Sequence, residues 1–565
     1  MRNSIFFFLV LLVSPIFSQV SYPQDYFTNP LKIPLILSGT FGELRSNHFH
    51  SGLDIKTQQR EGLDVVAAAD GYISRIKIQE WGYGKALYIT HPKGYTTVYG
   101  HLQKFAPEIE QYVKEAQYNN KSYEIELHPK PTQLPVKKGM LIAYSGNSGG
   151  SGGPHLHFEI RNSQAHPLNP FLFGIKIPDS RPPLIRACVV YALDDSTHIN
   201  GSNKLNVLRL RKSGKNLLTN PITAHGTIGF GVNAVDKLDQ TYNNNGIYSL
   251  EVTVNGKTVY KHQMDKTNFS TTRYINTLID YGRYVRTRQK IQKAFKIPAN
   301  KLKIYKTLKD NGYIKIEDGK NYTVAITAKD FSGNSTTLTI PVKGEKNPEF
   351  EKIPVAKTAH FFKANEYHKI NRDIVGVSFP SNCFYEDLYF NFNYKDDIVQ
   401  LHDKSIPLHK NFSLSFNVSS YPEKEQRHLV VARVNKKGKL SYSNTKRAKN
   451  KIYTRSRTLG KFTITKDTIA PSIYAINFRN NTWVSNYSHL KFKLKDNFSG
   501  VKSYTGTLNG QWMLLEYDAK KNKLVYDLND IPLDKEKNKI VITAEDNAYN
   551  RSTYTIVFNK KINKK

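Results

Sequence analysis

The sequence predicts a mostly β, multidomain protein: one antiparallel β-sheet domain over residues 19–178, followed by about three β-sandwich units. Three observations carry that expectation. Residues 72–78, 86–90 and 96–99 are short β-type runs separated by glycine-containing turns. Beyond residue 178 the chain repeats itself: Asp179-Ser180-Arg181-Pro182-Pro183-Leu184-Ile185 parallels Asp467-Thr468-Ile469-Ala470-Pro471-Ser472-Ile473, and Gly246-Ile247-Tyr248-Ser249 parallels Gly500-Val501-Lys502-Ser503. Ile326-Thr327-Ala328-Lys329-Asp330 likewise parallels Ile542-Thr543-Ala544-Glu545-Asp546. Between the copies, Phe412, Leu414, Phe416 and Val418 alternate with Ser413, Ser415 and Asn417, the period-two signature of a half-buried strand.

The 565 residues exceed what one hydrophobic core sustains, since single cores stop growing near roughly 250–300 residues. The expected divisions are 19–178, 179–345, 346–465 and 466–560. Within the first, an insertion is expected at about 105–134, where residues 107–118 have helical spacing and Pro129, Pro131 and Pro135 then stop regular structure. The unit at 179–345 is the longer copy of the repeat because residues 274–295 carry an insertion with helical spacing. Through strand patterning and turn chemistry these downstream units resemble immunoglobulin-like modules of bacterial envelope proteins.

Residues 1–18 read as a secretory signal peptide: Arg2 gives a positive start, residues 5–13 are apolar, and Ser18 offers a small-residue cleavage point. The apolar run is well short of the roughly 20 residues that span a bilayer, and no later segment is apolar enough to cross, so no transmembrane segment is expected after cleavage. Export to the periplasm or cell surface follows. Cys188 and Cys383 fall in different expected units and read as small buried residues rather than a disulfide. Lysine plus arginine total 82 against 47 acidic residues, a formal +35 that suits polyanions. The leader and the lack of any nucleic-acid-binding motif argue against nucleic acid and for anionic envelope polymers, with a solvated, compositionally biased surface as the plainer reading.

The chemistry lies in the first third. His50-Ser51-Gly52-Leu53-Asp54 places an imidazole and a carboxylate four apart on one face, and Gly153-Pro154-His155-Leu156-His157-Phe158-Glu159-Ile160 places two histidines on one face of a strand, with Leu156 and Phe158 on the other. Imidazole and carboxylate are the ligands expected of zinc, and three protein ligands with an open position characterise a catalytic site. Each motif alone is a weak signal. In company with Val66-Ala67-Ala68-Ala69-Asp70-Gly71, Gly82-Tyr83-Gly84, His91-Pro92-Lys93-Gly94, Tyr99-Gly100-His101-Leu102, Val136-Lys137-Lys138-Gly139, Ser145-Gly146-Asn147 and Pro167-Leu168-Asn169-Pro170, in that order, they make residues 35–173 resemble the lysostaphin and LytM-type zinc endopeptidases of bacterial cell walls.

By that resemblance the N-terminal domain is a peptidase domain whose substrate is peptide within peptidoglycan. His50, Asp54 and His157 match the zinc ligands, and His101 and His155 match the two histidines that assist catalysis beside the metal. The resemblance leaves open which of the two is the general base. Two alternatives accompany it: a peptidase for glycine-rich exported proteins, and an envelope-binding or activating protein without turnover, its cleft blocked by the 105–134 insertion. Of the neighbouring residues, His48 is the poorer ligand by spacing, His91 and His128 read as surface residues before prolines, and Glu159 as a polar contact orienting the site. The glycine-rich run 145–153 reads as a wall of the substrate groove. The peptidase domain is expected to fold alone, and the C-terminal lysines, Lys520, Lys521 and Lys523 among them, are candidates for an envelope anchor.

Overall fold

The computed structural model describes residues 22–354 and 356–561; the leader expected over 1–18 lies outside them. The described residues are 46% strand and 7% helix, the mostly β architecture that the patterning predicts. No helix among them is long and apolar enough to cross a membrane.

The N-terminal part is built on an antiparallel sheet whose order runs Leu37–Gly39, Leu53–Lys56, His155–Arg161, Thr96–Leu102, Lys85–Thr90, Gly71–Ile78 and Ile125–Leu127. Alternation decides its faces. In His155–Arg161, Leu156, Phe158 and Ile160 are fully buried in the core, so His155, His157 and Glu159 project from the opposite face. In Gly71–Ile78 the inward set is Ile73, Ile76 and Ile78, the step of three being absorbed by a bulge between Ile73 and Arg75. Register completes the arrangement: His157 pairs directly opposite Asp54 on one side and Gly100 on the other, which brings separate motifs together at the centre of the sheet.

The segment with helical spacing is the helix Pro107–Asn120. Pro107 opens it after extended Ala106, Glu108 and Glu110 favour its N-terminus, and Lys121 closes it in the left-handed region at φ 47. Ile109 and Val113 enter the N-terminal core. The opposite face meets the last β unit, where Lys114 Nζ lies 2.5 Å from Asp530 Oδ1 and the Tyr118 and Trp512 rings are 5.2 Å apart. The segment is an interface rather than a free surface insertion.

Residues 179–345 form a curled sheet around the long strand Ile222–Val235, carrying the short helices Ile275–Leu278 and Tyr281–Thr287. The next unit stacks two five-stranded sheets, with Phe412, Leu414 and Phe416 on the buried face of Phe412–Asn417. The last stacks a four-stranded on a five-stranded sheet. Its hairpin Lys537–Asp546 with Arg551–Asn559 repeats the hairpin Asn321–Lys329 with Ser335–Gly344. Cys188 and Cys383 are both buried and free.

The expectation that 19–178 folds alone meets a physical objection. The apolar core of the N-terminal part continues into Met264, Ile275 and Leu278 of the second unit, all at most 1% exposed. A fragment ending at 178 would present that face to water, at about 25 cal/mol per Å² of apolar surface. We expect the fragment to unfold at a lower temperature than the full chain and to bind a hydrophobic dye such as ANS; a melting temperature equal to that of the full chain would contradict this.

Candidate active site

His50, Asp54 and His157 are buried, and one potential ligand atom from each lies within 4.8 Å of the others. The separations are 3.0 Å from His50 Nε2 to Asp54 Oδ1, 2.9 Å from His157 Nδ1 to Asp54 Oδ1, and 3.2 Å from His50 Nε2 to His157 Nδ1. Tetrahedral ligands at about 2.0–2.1 Å from zinc would stand roughly 3.3 Å apart, close to these spacings.

The outer contacts fix which nitrogens face inward. His50 Nδ1 lies 2.8 Å from the Thr40 carbonyl, which can only accept, so that nitrogen carries the proton and Nε2 offers a lone pair. His157 is turned the other way: its Nε2 lies 2.8 Å from Glu159 Oε1, leaving Nδ1 toward the cluster. Asp54 offers Oδ1 inward while Oδ2 accepts from Arg45 Nη2 at 2.9 Å. Gly39 makes room for that contact, since a Cβ there would stand 2.4 Å from Arg45 Nη2. Two imidazole nitrogens and a carboxylate oxygen converging on one point are a ligand set that fits a metal ion.

Glu159 is fully buried and anchors this layer. It also accepts from Ser51 Oγ at 2.7 Å, from Arg161 Nε at 2.6 Å and from the Tyr83 hydroxyl, and the Tyr83 ring stacks on His157 at 4.9 Å. Burial raises the Glu159 pKa, but Arg161 and His157 outweigh it and hold the carboxyl far below the usual range. Burial alone would lower the pKa of His157; Asp54 and Glu159 overcome it and raise the metal-free imidazole to about 9. Metal binding must expel that proton. We therefore expect zinc uptake at pH 7.5 to release at least about one proton, with affinity rising at least about tenfold per pH unit up to about pH 9. In the metal-free protein the same shift, upward from 6.5, gives stability that is complete below about 6.5 and lost as pH rises through about 9. Indicator-detected proton release in weak buffer tests the uptake step, and no release at pH 7.5 would contradict it.

His101 and His155 stand beside the cluster with ring centroids 4.7 Å apart. His101 Nδ1 donates to the Ser148 carbonyl at 2.9 Å and His155 Nδ1 to the Gly153 carbonyl at 2.9 Å, so each ring turns its Nε2 away from those carbonyls. The His155 Nε2 is 3.5 Å from Asp54 Oδ1. Burial, reinforced by His157 and His155, lowers the pKa of His101 to about 3, which keeps it neutral throughout the physiological range. Its backbone is left-handed (φ 61), a conformation that costs about 1–2 kcal/mol for a non-glycine residue.

The glycine-rich run forms a wall beside this pair. Gly84 (φ 63) packs so closely on it that a Cβ would meet Ser148 Oγ at 2.4 Å. On the same run Lys520 of the last unit donates to the Asn147 carbonyl and to the Ser151 carbonyl at 3.0 Å, so this lysine is not free for an envelope anchor. A groove of about 740 Å³ opens on Asp54 and His155 and is lined by Ile33, Pro34, Lys56, Gln58 and Gly152.

Other expectations divide. His48 stays outside the cluster, its Nδ1 on the Ser46 carbonyl at 2.9 Å. The His128 side chain is 65% exposed. His91 is not a surface residue: it is 2% exposed, with Nδ1 on the Asp70 carbonyl and Nε2 on Thr97 Oγ1, both at 2.8 Å. Arg45 and Tyr83 were not singled out as site residues, and their roles rest on contacts that no local spacing announces.

Residues 48–122 match the Peptidase family M23, and residues 359–467 match the Zu5-like domain. The chain is 31% identical over 165 residues to the DD-carboxypeptidase/endopeptidase Mpg of Neisseria meningitidis serogroup B, covering 29% of each protein. It is 36% identical over 130 residues to an uncharacterized metalloprotease of Haemophilus influenzae, covering 23% of this chain and 21% of that one. To the murein hydrolase activator EnvC of Escherichia coli K12 it is 32% identical over 112 residues, covering 20% of each. These matches span less than a third of the relatives' own length. Where the ordered motifs, the central sheet and the family match coincide, the conclusion is that the chain carries a domain of Peptidase family M23.

Proposed function

We propose that this chain is an exported zinc endopeptidase that hydrolyses peptide cross-links of bacterial peptidoglycan, with His50, Asp54 and His157 as the metal ligands. The observation that carries the reading is the inward convergence of three ligand atoms with the rings of His101 and His155 beside them, each held through Nδ1 on a backbone carbonyl. Zinc, when bound, supplies a Lewis acid that lowers the pKa of a coordinated water to about 7 and polarises a carbonyl. The residues do the rest. One of His101 and His155 accepts the proton of the attacking water at Nε2 and returns it to the departing amine; the other, once protonated, hydrogen-bonds the developing oxyanion. Arg45 and Glu159 hold Asp54 and His157 in place. The groove seats the extended peptide.

The substrate class is supported by the printed names of the Neisseria and Escherichia relatives, and export by the basic start and apolar run at residues 1–18. The second reading, an activator without turnover, is favoured by the likeness to EnvC. Against a blocked cleft stands the groove's lining, to which residues 105–134 contribute none of the described side chains. Zinc returned to chelator-stripped protein should restore cleavage of a cross-linked muropeptide, read by mass spectrometry. No cleavage by protein carrying stoichiometric zinc would favour the activator; cleavage without metal would overturn the zinc assignment.

A further inference from the structure

We propose that the second and last β units each bind one calcium ion, the first at Asp179, Asp236 and Asp330 and the other at Asp467, Asp496 and Asp546. Within each triad the carboxylate oxygens lie within 4.8 Å of one another. The sites are built on corresponding elements. Asp179 and Asp467 lie in the segments entering the units; Asp236 and Asp496 directly follow the strands Ile222–Val235 and His489–Lys495; Asp330 and Asp546 stand at the turn ends of the repeated hairpins. Asn334 Nδ2 bridges the Asp330 carboxylate at 2.8 Å and the Asp179 carbonyl at 3.1 Å, and Asn550 Nδ2 bridges Asp546 and the Asp467 carbonyl at 2.7 and 2.9 Å.

Unpartnered buried groups point to a ligand in both. Asp236 is 3% exposed, yet its Oδ1 has no hydrogen-bond partner. Asn245, 2% exposed, bridges Asp236 backbone to backbone in antiparallel register, so its side chain shares that face, and neither atom of its amide is partnered. In the last unit Ser499 is 2% exposed and donates its N–H to Asp467 Oδ2 at 3.0 Å, while its hydroxyl is unpartnered; Asp496 Oδ1 is unpartnered as well. Such groups are costly unless something coordinates them. Three carboxylates held within that span repel one another, a repulsion that a cation would relieve.

The donors are oxygens only: carboxylates supplemented by an amide in one unit and a hydroxyl in the other. That is the chemistry of a hard cation rather than of zinc. Calcium takes about 6–8 oxygens at about 2.3–2.6 Å, so two ligands of one ion stand at most about 5 Å apart, and the triads fit that span. Asp179 and Asp236 also line a cavity of about 760 Å³ between the peptidase part and the second unit, bordered by Thr40 and Phe171, which gives an ion a route in. Each ion would tie the entering segment to its unit and stiffen the junction.

Full-length zinc-loaded protein, dialysed free of calcium, should bind two ⁴⁵Ca²⁺ per chain in equilibrium dialysis at up to about 1 mM, the upper range for extracellular modules. Asp236→Asn and Asp496→Asn should each lose one ion and the double variant both, while His157→Ala retains two. Asparagine keeps the shape and removes the repelling charge, so the variants should fold without calcium, checked by circular dichroism. Added calcium should raise the melting temperature of the wild type but not of the double variant. No binding at about 1 mM, or two ions retained by the double variant, would overturn the proposal. Loss of binding through Asp236→Asn alone would uphold the first site and remove the second.

Discussion

Alanine at His157 is expected to remove stoichiometric zinc and to lower peptide-bond hydrolysis by about a thousandfold or more, because several kcal/mol of charge stabilisation depart with the ion. The site leaves no substitute. His157 Nδ1 stands 2.9 Å from Asp54 Oδ1 and 3.2 Å from His50 Nε2, whereas His155 Nε2 stands off at 3.5 Å from Asp54 Oδ1 with its ring held on the Gly153 carbonyl. His157→Ala also strands Glu159, whose buried carboxylate loses a partner at 2.8 Å, so part of any loss could be structural. His50→Ala separates the two effects, since the group it strands is a neutral carbonyl of Thr40. Both variants should lose zinc by atomic absorption, but only His157→Ala should lose appreciable stability. Stoichiometric zinc in either would refute the ligand set.

His101→Ala and His155→Ala are expected to keep their zinc and to lose roughly a hundredfold to ten-thousandfold in turnover, the range for a positioned proton-transfer group or oxyanion donor. Neither ring belongs to the converging triad, so metal content should not follow activity. The pH profile distinguishes the two residues. The metal-free pKa of about 3 keeps His101 neutral at rest, and the same burial opposes its protonation in either role. If His101 is the base, His101→Ala should flatten the acidic limb of the rate profile and His155→Ala should preserve it. Near-normal turnover by both variants would remove the pair from the mechanism.

How much of this was legible depends on how each residue is held. The two motifs carrying His50, Asp54, His155 and His157 are visible because period-two alternation assigns Leu156 and Phe158 to the core and the histidines to the other face. Their meeting is a matter of register, with Asp54 directly opposite His157, which only the ordered company of motifs implied. Arg45 was illegible because it reaches Asp54 from a loop nine residues away through space that Gly39 leaves open. His91 was misjudged for a local reason: a histidine before a proline resembles a turn residue, but the turn folds its ring back onto Asp70 and Thr97. That residues 19–178 share their core with the second unit was illegible for a global one. The spacing of 274–295 announced helices, and nothing local showed that Ile275 and Leu278 would complete the peptidase core. Asp179, Asp330, Asp467 and Asp546 stand in the repeated segments, whereas Asp236 and Asp496 do not, and the convergence of each triad required the hairpins to fold.

The most direct measurement is digestion of purified sacculi by the full-length protein, with the released material identified by mass spectrometry. Zinc-loaded protein is expected to release peptide-cleaved muropeptides in which each cut bond has gained one water, and His157→Ala should release none. Sacculi left intact by the zinc-loaded protein, or digested equally by His157→Ala, would contradict the central claim.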